Sequence, residues 1–312
     1  MPIPSTSSLY RVTPLIPHPV LSRAQGRDVQ LKMETLQPAG SFKSRGVGVH
    51  CQRVAAAGAR RLVTSSGGNA GMAVAVAGRT LGLAVTVVVP ESTAPAVRDK
   101  LRAEGAEVHV HGRVWIEADA DARGRVTAAA AYVHPFDHPD LWDGHATLVD
   151  ELAQQGPRPD RVVVSVGGGG LLCGVVEGLR RNGWGDVGVV AVETEGATSL
   201  KAAVEAGQLV TLPAITSVAK TLGASRVAQA ALDCTRDHPV EVITVSDAAA
   251  LRACVRFADE LRTLVEPSCG ASLAVAYDDH PALAGAARVV VVVCGGVAVS
   301  TADIEAWRAS VG

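Results

Sequence analysis

The sequence is poor in aromatic residues: Phe, Tyr and Trp make up 3% of its 312 residues, so any core must be filled by Val, Ala and Leu. Charge of neither sign dominates, and a formal net charge of -2 gives no electrostatic footprint for nucleic acid or an anionic membrane surface. Long hydrophobic runs are missing too. The valine-rich stretch at 288–294 is far short of the roughly 20 apolar residues that cross a bilayer. Residues 1–10 contain Pro and Ser but no apolar core segment, so no secretory leader is expected. Cysteines are present (Cys51, Cys173, Cys234, Cys254, Cys269 and Cys294) but show neither a CxxC pair nor metal-ligand spacing with His. They read as buried or free thiols of a reducing cytoplasm. Lysine is scarce: beside Lys43 there are only Lys32, Lys100, Lys201 and Lys220, and Arg supplies the other cations.

What is there is a strand and helix alternation. A length of 312 residues favours two cores. The leading stretch, with Pro2, Pro4, Pro14, Pro17 and Pro19, is expected to be extended and draped over the fold, packing with the second lobe. Strands are expected at 61–64, 84–89 and 107–110, with helices at 70–81 and 94–104. The second half repeats the rhythm, with strands at 161–166, 187–192, 241–245 and 288–293 and helices at 170–182, 199–206, 226–236, 247–260 and 270–277. Such alternation predicts an α/β fold of two lobes, each a mainly parallel twisted sheet with flanking helices. Pro135 and Pro139 interrupt the pattern, so the lobes are expected to be 1–45 with 135–312 and, between them, 46–134.

Three segments carry chemistry. Gly167-Gly168-Gly169-Gly170-Leu171 follows an expected strand and opens a helix, so its amides can converge on a phosphate at a helix N-terminus. A plain tight turn, or a nicotinamide dinucleotide site with Glu193 or Glu195 on the ribose, would use a similar pattern, although Leu172 stands where the third glycine of that fingerprint belongs. The turn at Ser65-Ser66-Gly67-Gly68-Asn69-Ala70 has the same setting and suits a substrate carboxylate, or serves as an ordinary helix cap. Lys43, after Ser41 and Phe42, is a surface lysine in isolation. Beside two anion-binding turns it becomes an amine for the aldehyde of pyridoxal phosphate, with Phe42 against the pyridine ring and Asn69 donating to its phenolate oxygen. Cys294 ends the 288–293 strand, where parallel sheets bind ligands, or is a buried structural thiol. As a partner of the pyridine nitrogen, a thiol stabilises a carbanion less than a carboxylate does, which favours elimination over transamination or racemisation.

With these residues in place the chain resembles a known family, the fold type II pyridoxal phosphate enzymes, and within it the short, liver-type L-serine/L-threonine dehydratases. The resemblance runs through LYRVTPLI (9–16), ETLQPAGSFKSRG (34–46), SSGGNAG (65–71), PFDHPDLWDGHATLVDEL (135–152), SVGGGGLLCGVVEGL (165–179), VETEGATS (192–199), ITSVAKTLGA (215–224), VEPSCGASLA (265–274) and VVVCGG (291–296). It implies a tryptophan synthase β-like fold, a larger cofactor-binding lobe and a smaller substrate-gating one. It implies Lys43 as Schiff-base lysine and proton carrier, Phe42 against the ring, Asn69 at the 3-hydroxyl, Gly167 to Leu171 on the phosphate and Cys294 at the ring nitrogen. Ser65, Ser66, Gly67, Asn69 and Ala70 would bind substrate. A monovalent cation, usually potassium, would take Glu193 and Ser199 with the carbonyls of Ala197, Leu222 and Ala224.

Two departures stand out, Gly67 where the pattern often has Ala and Ala298 where Asn is common. The expected activity is deaminating β-elimination of serine or threonine by a cytoplasmic homodimer that uses neither nucleic acid nor membrane. No isoleucine-type regulatory domain is expected after the catalytic unit. The competing readings are β-replacement or racemisation on the same loops, a nicotinamide oxidoreductase, and a binding module with an inert site.

Overall fold

The computed structural model describes residues 9–311. In chain order, the first elements are β1 (Leu15–Pro17), α1 (Pro19–Gln25) and β2 (Asp28–Lys32). Next come α2 (Lys43–Ala56), β3 (Arg61–Thr64), α3 (Asn69–Leu81), β4 (Ala84–Val89), α4 (Pro95–Ala103), β5 (Glu107–Val110), α5 (Trp115–Gly124), β6 (Ala130–Tyr132) and α6 (Pro139–Gln155). They are followed by β7 (Arg161–Ser165), α7 (Gly170–Arg181), β8 (Gly188–Thr194), α8 (Ser199–Ala206), α9 (Gln229–Asp237), β9 (Val240–Val245), α10 (Asp247–Leu261), α11 (Pro267–Tyr277), β10 (Arg288–Val292) and α12 (Thr301–Val311).

Two compact units result, one of residues 37–144 with 9–11, the other of 12–36 with 145–311. The first contains a wholly parallel sheet in the order β5-β4-β3-β6, with Arg61 beside both Ala84 and Ala130. Parallel strands covered on both faces must be apolar throughout. Accordingly Leu62, Val63, Val85, Val87, Val88 and Val89 are all buried. The second unit holds a sheet in the order β1-β2-β10-β7-β8-β9, parallel except for the antiparallel pair of β1 and β2. The valine run of β10 sits at its centre, and each fully buried Val contributes about 1.5–3 kcal/mol relative to exposure.

The structure departs from the sequence expectations in three places. The leading stretch is not simply extended: Pro19 opens the helix α1, where its fixed φ suits the first turn and its missing N–H leaves no bond unmade. Pro2 and Pro4 lie outside the described residues. Strand β2, which adds to β10, reads as polar because its last residue is Lys32. That side chain is fully buried, with Nζ 2.6 Å from Glu151 and 2.8 Å from the Thr13 carbonyl. Finally, the units divide at 11/12, 36/37 and 144/145 instead of 45/46 and 134/135, and residues 9–11 go with the four-stranded unit instead of the second lobe. Lys43 opens a helix that continues unbroken to Ala56, and a Cβ on Gly144 would lie 2.6 Å from the Gly46 Cα. Residues 37–45 and 135–144 therefore pack with the four-stranded sheet.

Candidate active site

In the four-stranded unit, Lys43 is the first residue of α2 and Phe42 its N-cap, with the lysine Nζ 5.1 Å from the Phe42 ring centre. Nζ donates to the backbone carbonyl of Pro135, 92 residues away in sequence. The segment carrying that carbonyl is shaped by His134, whose Nδ1 accepts the amide hydrogens of Phe136 (3.2 Å) and Asp137 (2.7 Å). Burial, aided by the nearby Arg123 charge, pushes His134 down to about 4, so the ring is neutral at physiological pH and keeps that acceptor role.

The turn from β3 into α3 carries the other candidates of this unit. Asn69 and Ala70 are the first residues of α3, whose cap, Gly68, has no side-chain hydrogen bond. The amides at the start of a helix have no intrahelical carbonyl and can meet an acceptor from outside it. Ser66 Oγ accepts the Gly68 amide at 3.3 Å. Ser65 behaves differently: it is buried, and its hydroxyl donates to Asp119 Oδ1 at 2.6 Å. Tyr132 donates to the same oxygen and Arg123 Nε reaches Oδ2 at 2.7 Å. Burial opposes ionisation of Asp119, but the hydrogen bonds from Ser65, Tyr132 and Arg123 outweigh it and hold the carboxyl below its usual range. Ser65 thus anchors the turn from behind through its side chain. Sequence reading gave no role to Asp119, Arg123 or Tyr132; the Asp119/Arg123 pair at helical i,i+4 spacing was the available signal.

In the six-stranded unit the glycine turn links β7 to α7. Gly169 has φ +90°, and a Cβ there would lie 2.3 Å from the Ala231 Cβ, so only glycine fits. The Gly168 carbonyl accepts the Ala228 amide at 3.1 Å, which pins the loop to the start of α9. Helix α7 begins at Gly170 without a side-chain cap. First amides of this kind, joined to a glycine turn, suit an anion such as a phosphate. Cys294 lies just past β10 and is buried; the Cys269 thiol beside it and its burial hold it well above the usual thiol range, so it stays protonated. Glu266, inside a motif noted in the sequence but given no role there, is packed here too: a Cβ on Gly296 would fall 2.6 Å from its Oε2.

The expected cation ligands also lie in this unit. Glu193 is fully buried on β8, and its two oxygens accept the amides of Leu200 (2.8 Å) and Lys201 (2.9 Å) at the start of α8. Burial pushes its carboxyl up to about 7 despite these amides. Ser199 opens α8 with a buried hydroxyl that has no partner among the described residues. Ala197 closes a tight turn onto Thr194, its amide 2.9 Å from that carbonyl. The Leu222 carbonyl, which accepts the Ala224 amide at 2.8 Å, lies 3.1 Å from where a Cβ on Gly167 would sit, so Leu222 packs against the glycine turn. The buried Glu193 carboxyl, the orphaned Ser199 hydroxyl and these turn carbonyls are all oxygen donors, the chemistry that suits a potassium ion.

In the six-stranded unit, a glycine turn at a helix start and a buried thiol past the end of a central parallel strand suit a phosphate-bearing cofactor; in the four-stranded unit, an amine beside an aromatic ring is the kind of group that an aldehyde takes. Residues 6–295 match the pyridoxal-phosphate dependent enzymes, and the chain belongs to this family. Its α/β architecture of parallel sheets with flanking helices is that of fold type II. The chain is 47% identical to "Serine dehydratase-like" of Mus musculus, over 97% of this chain and 95% of that protein. It is 45% identical to "L-serine dehydratase/L-threonine deaminase" of the same organism, over 98% and 97%. Among solved structures, an L-serine ammonia-lyase from the fungus Rhizomucor miehei superposes with a TM-score of 0.90 at 37% identity, covering 97% of this chain and 99% of that one. Among the described residues no helix is long and apolar enough to cross a membrane.

Proposed function

We propose that this enzyme catalyses the deaminating β-elimination of L-serine and L-threonine. Water is lost across Cα and Cβ, water then adds to the imine that follows, and ammonia leaves with pyruvate or 2-oxobutanoate. Pyridoxal phosphate, when bound, supplies the electron sink that weakens the bond to the α-hydrogen.

The observation that carries the reading is the setting of Lys43, a scarce lysine at a helix start beside Phe42 and oriented by the Pro135 carbonyl. Its amine takes the α-hydrogen and returns the proton. The start of α3, with Ser66, Gly67, Asn69 and Ala70, holds the substrate carboxylate, while Ser65 supports that turn through Asp119. The amides from Gly167 to Leu171 would hold the cofactor phosphate, with Phe42 and Asn69 toward its ring and its 3-hydroxyl. Cys294, kept protonated, would give the ring nitrogen a neutral partner, which would favour elimination over racemisation. A potassium ion would be held by Glu193, Ser199 and the carbonyls of Ala197, Leu222 and Ala224. The reading includes a cytoplasmic homodimer; the six cysteines are all free thiols, which suits a reducing compartment.

The test is pyruvate release from L-serine by the yellow holoenzyme, with 2-oxobutanoate from L-threonine in parallel. A positioned general base contributes about 10²–10⁴-fold, so Lys43→Ala is expected to lose at least that. Wild-type turnover in that variant would end the assignment, and a product other than the oxo acid would move the chemistry to replacement or racemisation.

A further inference from the structure

Away from Lys43, the four-stranded unit brings together His50 of α2 with His138 and Asp140 at the start of α6. One nitrogen or oxygen from each of the three lies within 4.8 Å of the others. Asp140 Oδ2 is the shared point, 2.8 Å from His50 Nδ1 and 3.7 Å from His138 Nδ1. A tetrahedral metal ion with bonds of about 2.0–2.2 Å separates its ligand atoms by roughly 3.4 Å. The two observed separations bracket that value.

The hydrogen-bond chemistry of His50 points the same way. Its Nε2 faces the Tyr132 carbonyl at 3.4 Å, and its Nδ1 faces a carboxylate. Both neighbours only accept, and the tautomer that donates from Nε2 to the Tyr132 carbonyl leaves the Nδ1 lone pair, beside Asp140 Oδ2, for a metal ion. An imidazole whose outer N–H meets a backbone carbonyl is the usual way a metal-binding histidine is oriented. His50 is buried and held in place, while the His138 side chain is 41% exposed and leaves access from solvent. Two imidazoles and one carboxylate suit zinc and its neighbours, whereas magnesium and calcium prefer oxygen alone.

Two contacts oppose the ion. Arg53 Nη1 lies 2.5 Å from Asp140 Oδ1, but it leaves Oδ2 to the metal and its side chain is half exposed. His138 Nδ1 accepts the Asp140 amide at 3.1 Å, and that first-turn amide can turn to water instead.

We propose that His50, His138 and Asp140 form a binding site for a divalent first-row transition metal of the zinc class, with water in the fourth position. The ion would pin the 133–138 segment to α2. That segment carries the Pro135 carbonyl and α2 starts at Lys43, so, on the reading of Lys43 given above, metal loading acts on the setting of the amine.

The experiment uses the potassium-loaded holoenzyme freed of divalent ions with a chelator. It is titrated with Co²⁺, followed by its visible absorption, and with Zn²⁺ in competition against a chromophoric chelator. Saturable binding of one ion per chain is expected, weakened at least about tenfold in His138→Gln. Arg53→Gln, which releases Asp140 Oδ1, is expected to bind more tightly than wild type. Circular dichroism and thermal melts of the metal-free variants separate loss of a ligand from loss of fold. Absence of stoichiometric binding, or binding that His138→Gln leaves unchanged, overturns the proposal. Failure of the Lys43 assignment alone would leave these metal readouts as expected.

Discussion

Gly71 is the third residue of α3, and a Cβ there would lie 1.7 Å from the Ser66 carbonyl oxygen and 2.9 Å from its carbon. Real Cβ atoms essentially never come within 3.0 Å of such a neighbour, so in Gly71→Ala either the helix or the Ser66 peptide must move. The helix has little freedom, because Met72 through Gly78 are all buried. The turn therefore yields, by more than about 1 Å, and it is the turn proposed to hold the substrate carboxylate. Misplacement of that size costs on the order of 10²-fold in rate, and the overpacking itself costs about 1–3 kcal/mol of stability. The assay is steady-state pyruvate release at saturating cofactor, with the visible spectrum of the bound cofactor and a thermal melt for each protein. The expected result is kcat/KM for serine down by about 10²-fold, with the cofactor retained, since the phosphate turn belongs to the other unit. Gly124→Ala, where a Cβ meets nothing within 4 Å, is the control and is expected to behave as wild type. Gly71→Ala with unchanged kcat/KM and an intact fold would refute the placement of the substrate carboxylate at this turn.

Two further outcomes follow from buried charge. Glu193 has its carboxyl raised to about 7 by burial, so its contribution to stability is complete below the unfolded value near 4.3 and is lost as pH rises through 7. In potassium-free protein the melting temperature is expected to fall from about pH 5 to pH 8 relative to Glu193→Gln, and potassium is expected to restore it more at the higher pH. A pH-independent difference between the two proteins would count against this. Asp119→Asn removes the carboxylate shared by Ser65, Tyr132 and Arg123 and is expected to cost about 1–3 kcal/mol by denaturant unfolding. It should raise KM for serine more than it lowers kcat, because the turn is loosened while Lys43 keeps its setting; an equal effect on kcat and KM would argue against a positioning role.

The parts of the fold legible in the sequence were those whose environment is uniform along a strand. The runs 87–89 of β4, 162–164 of β7 and 289–292 of β10 are valine at every position and buried because both faces are covered, and a run of valines admits few other readings. Strand β2 failed that test, since a fully buried Lys32 reads as surface until Glu151 and the Thr13 carbonyl are brought beside it from elsewhere in the chain. Helix α1 failed differently: a proline-rich stretch suggests extended chain, yet Pro19 at a first helical position starts a helix. For β2 the missing information was a partner distant in sequence, whereas for α1 it was the local choice between two backbone states that proline permits.

The same distinction runs through the candidate site. The glycine turn at 167–170 was legible as a turn because its requirement is local: glycine at a positive φ followed by a helix start can be read from consecutive residues. The setting of Lys43 was not, because its amine is oriented by a carbonyl 92 residues away, on a segment shaped by the ring of His134. Nor was the division of labour in the serine pair. Ser65 and Ser66 are equivalent as letters, and alternation across the turn sends one hydroxyl inward to Asp119 and leaves the other at the Gly68 amide. A residue type at a turn thus narrows the chemistry available, while the acceptor supplied by another segment decides which of two like side chains supports the turn and which stays at the helix start. Exchanging their roles would require moving Asp119, and that carboxylate is fixed from the opposite side by Arg123 one helical turn further along α5.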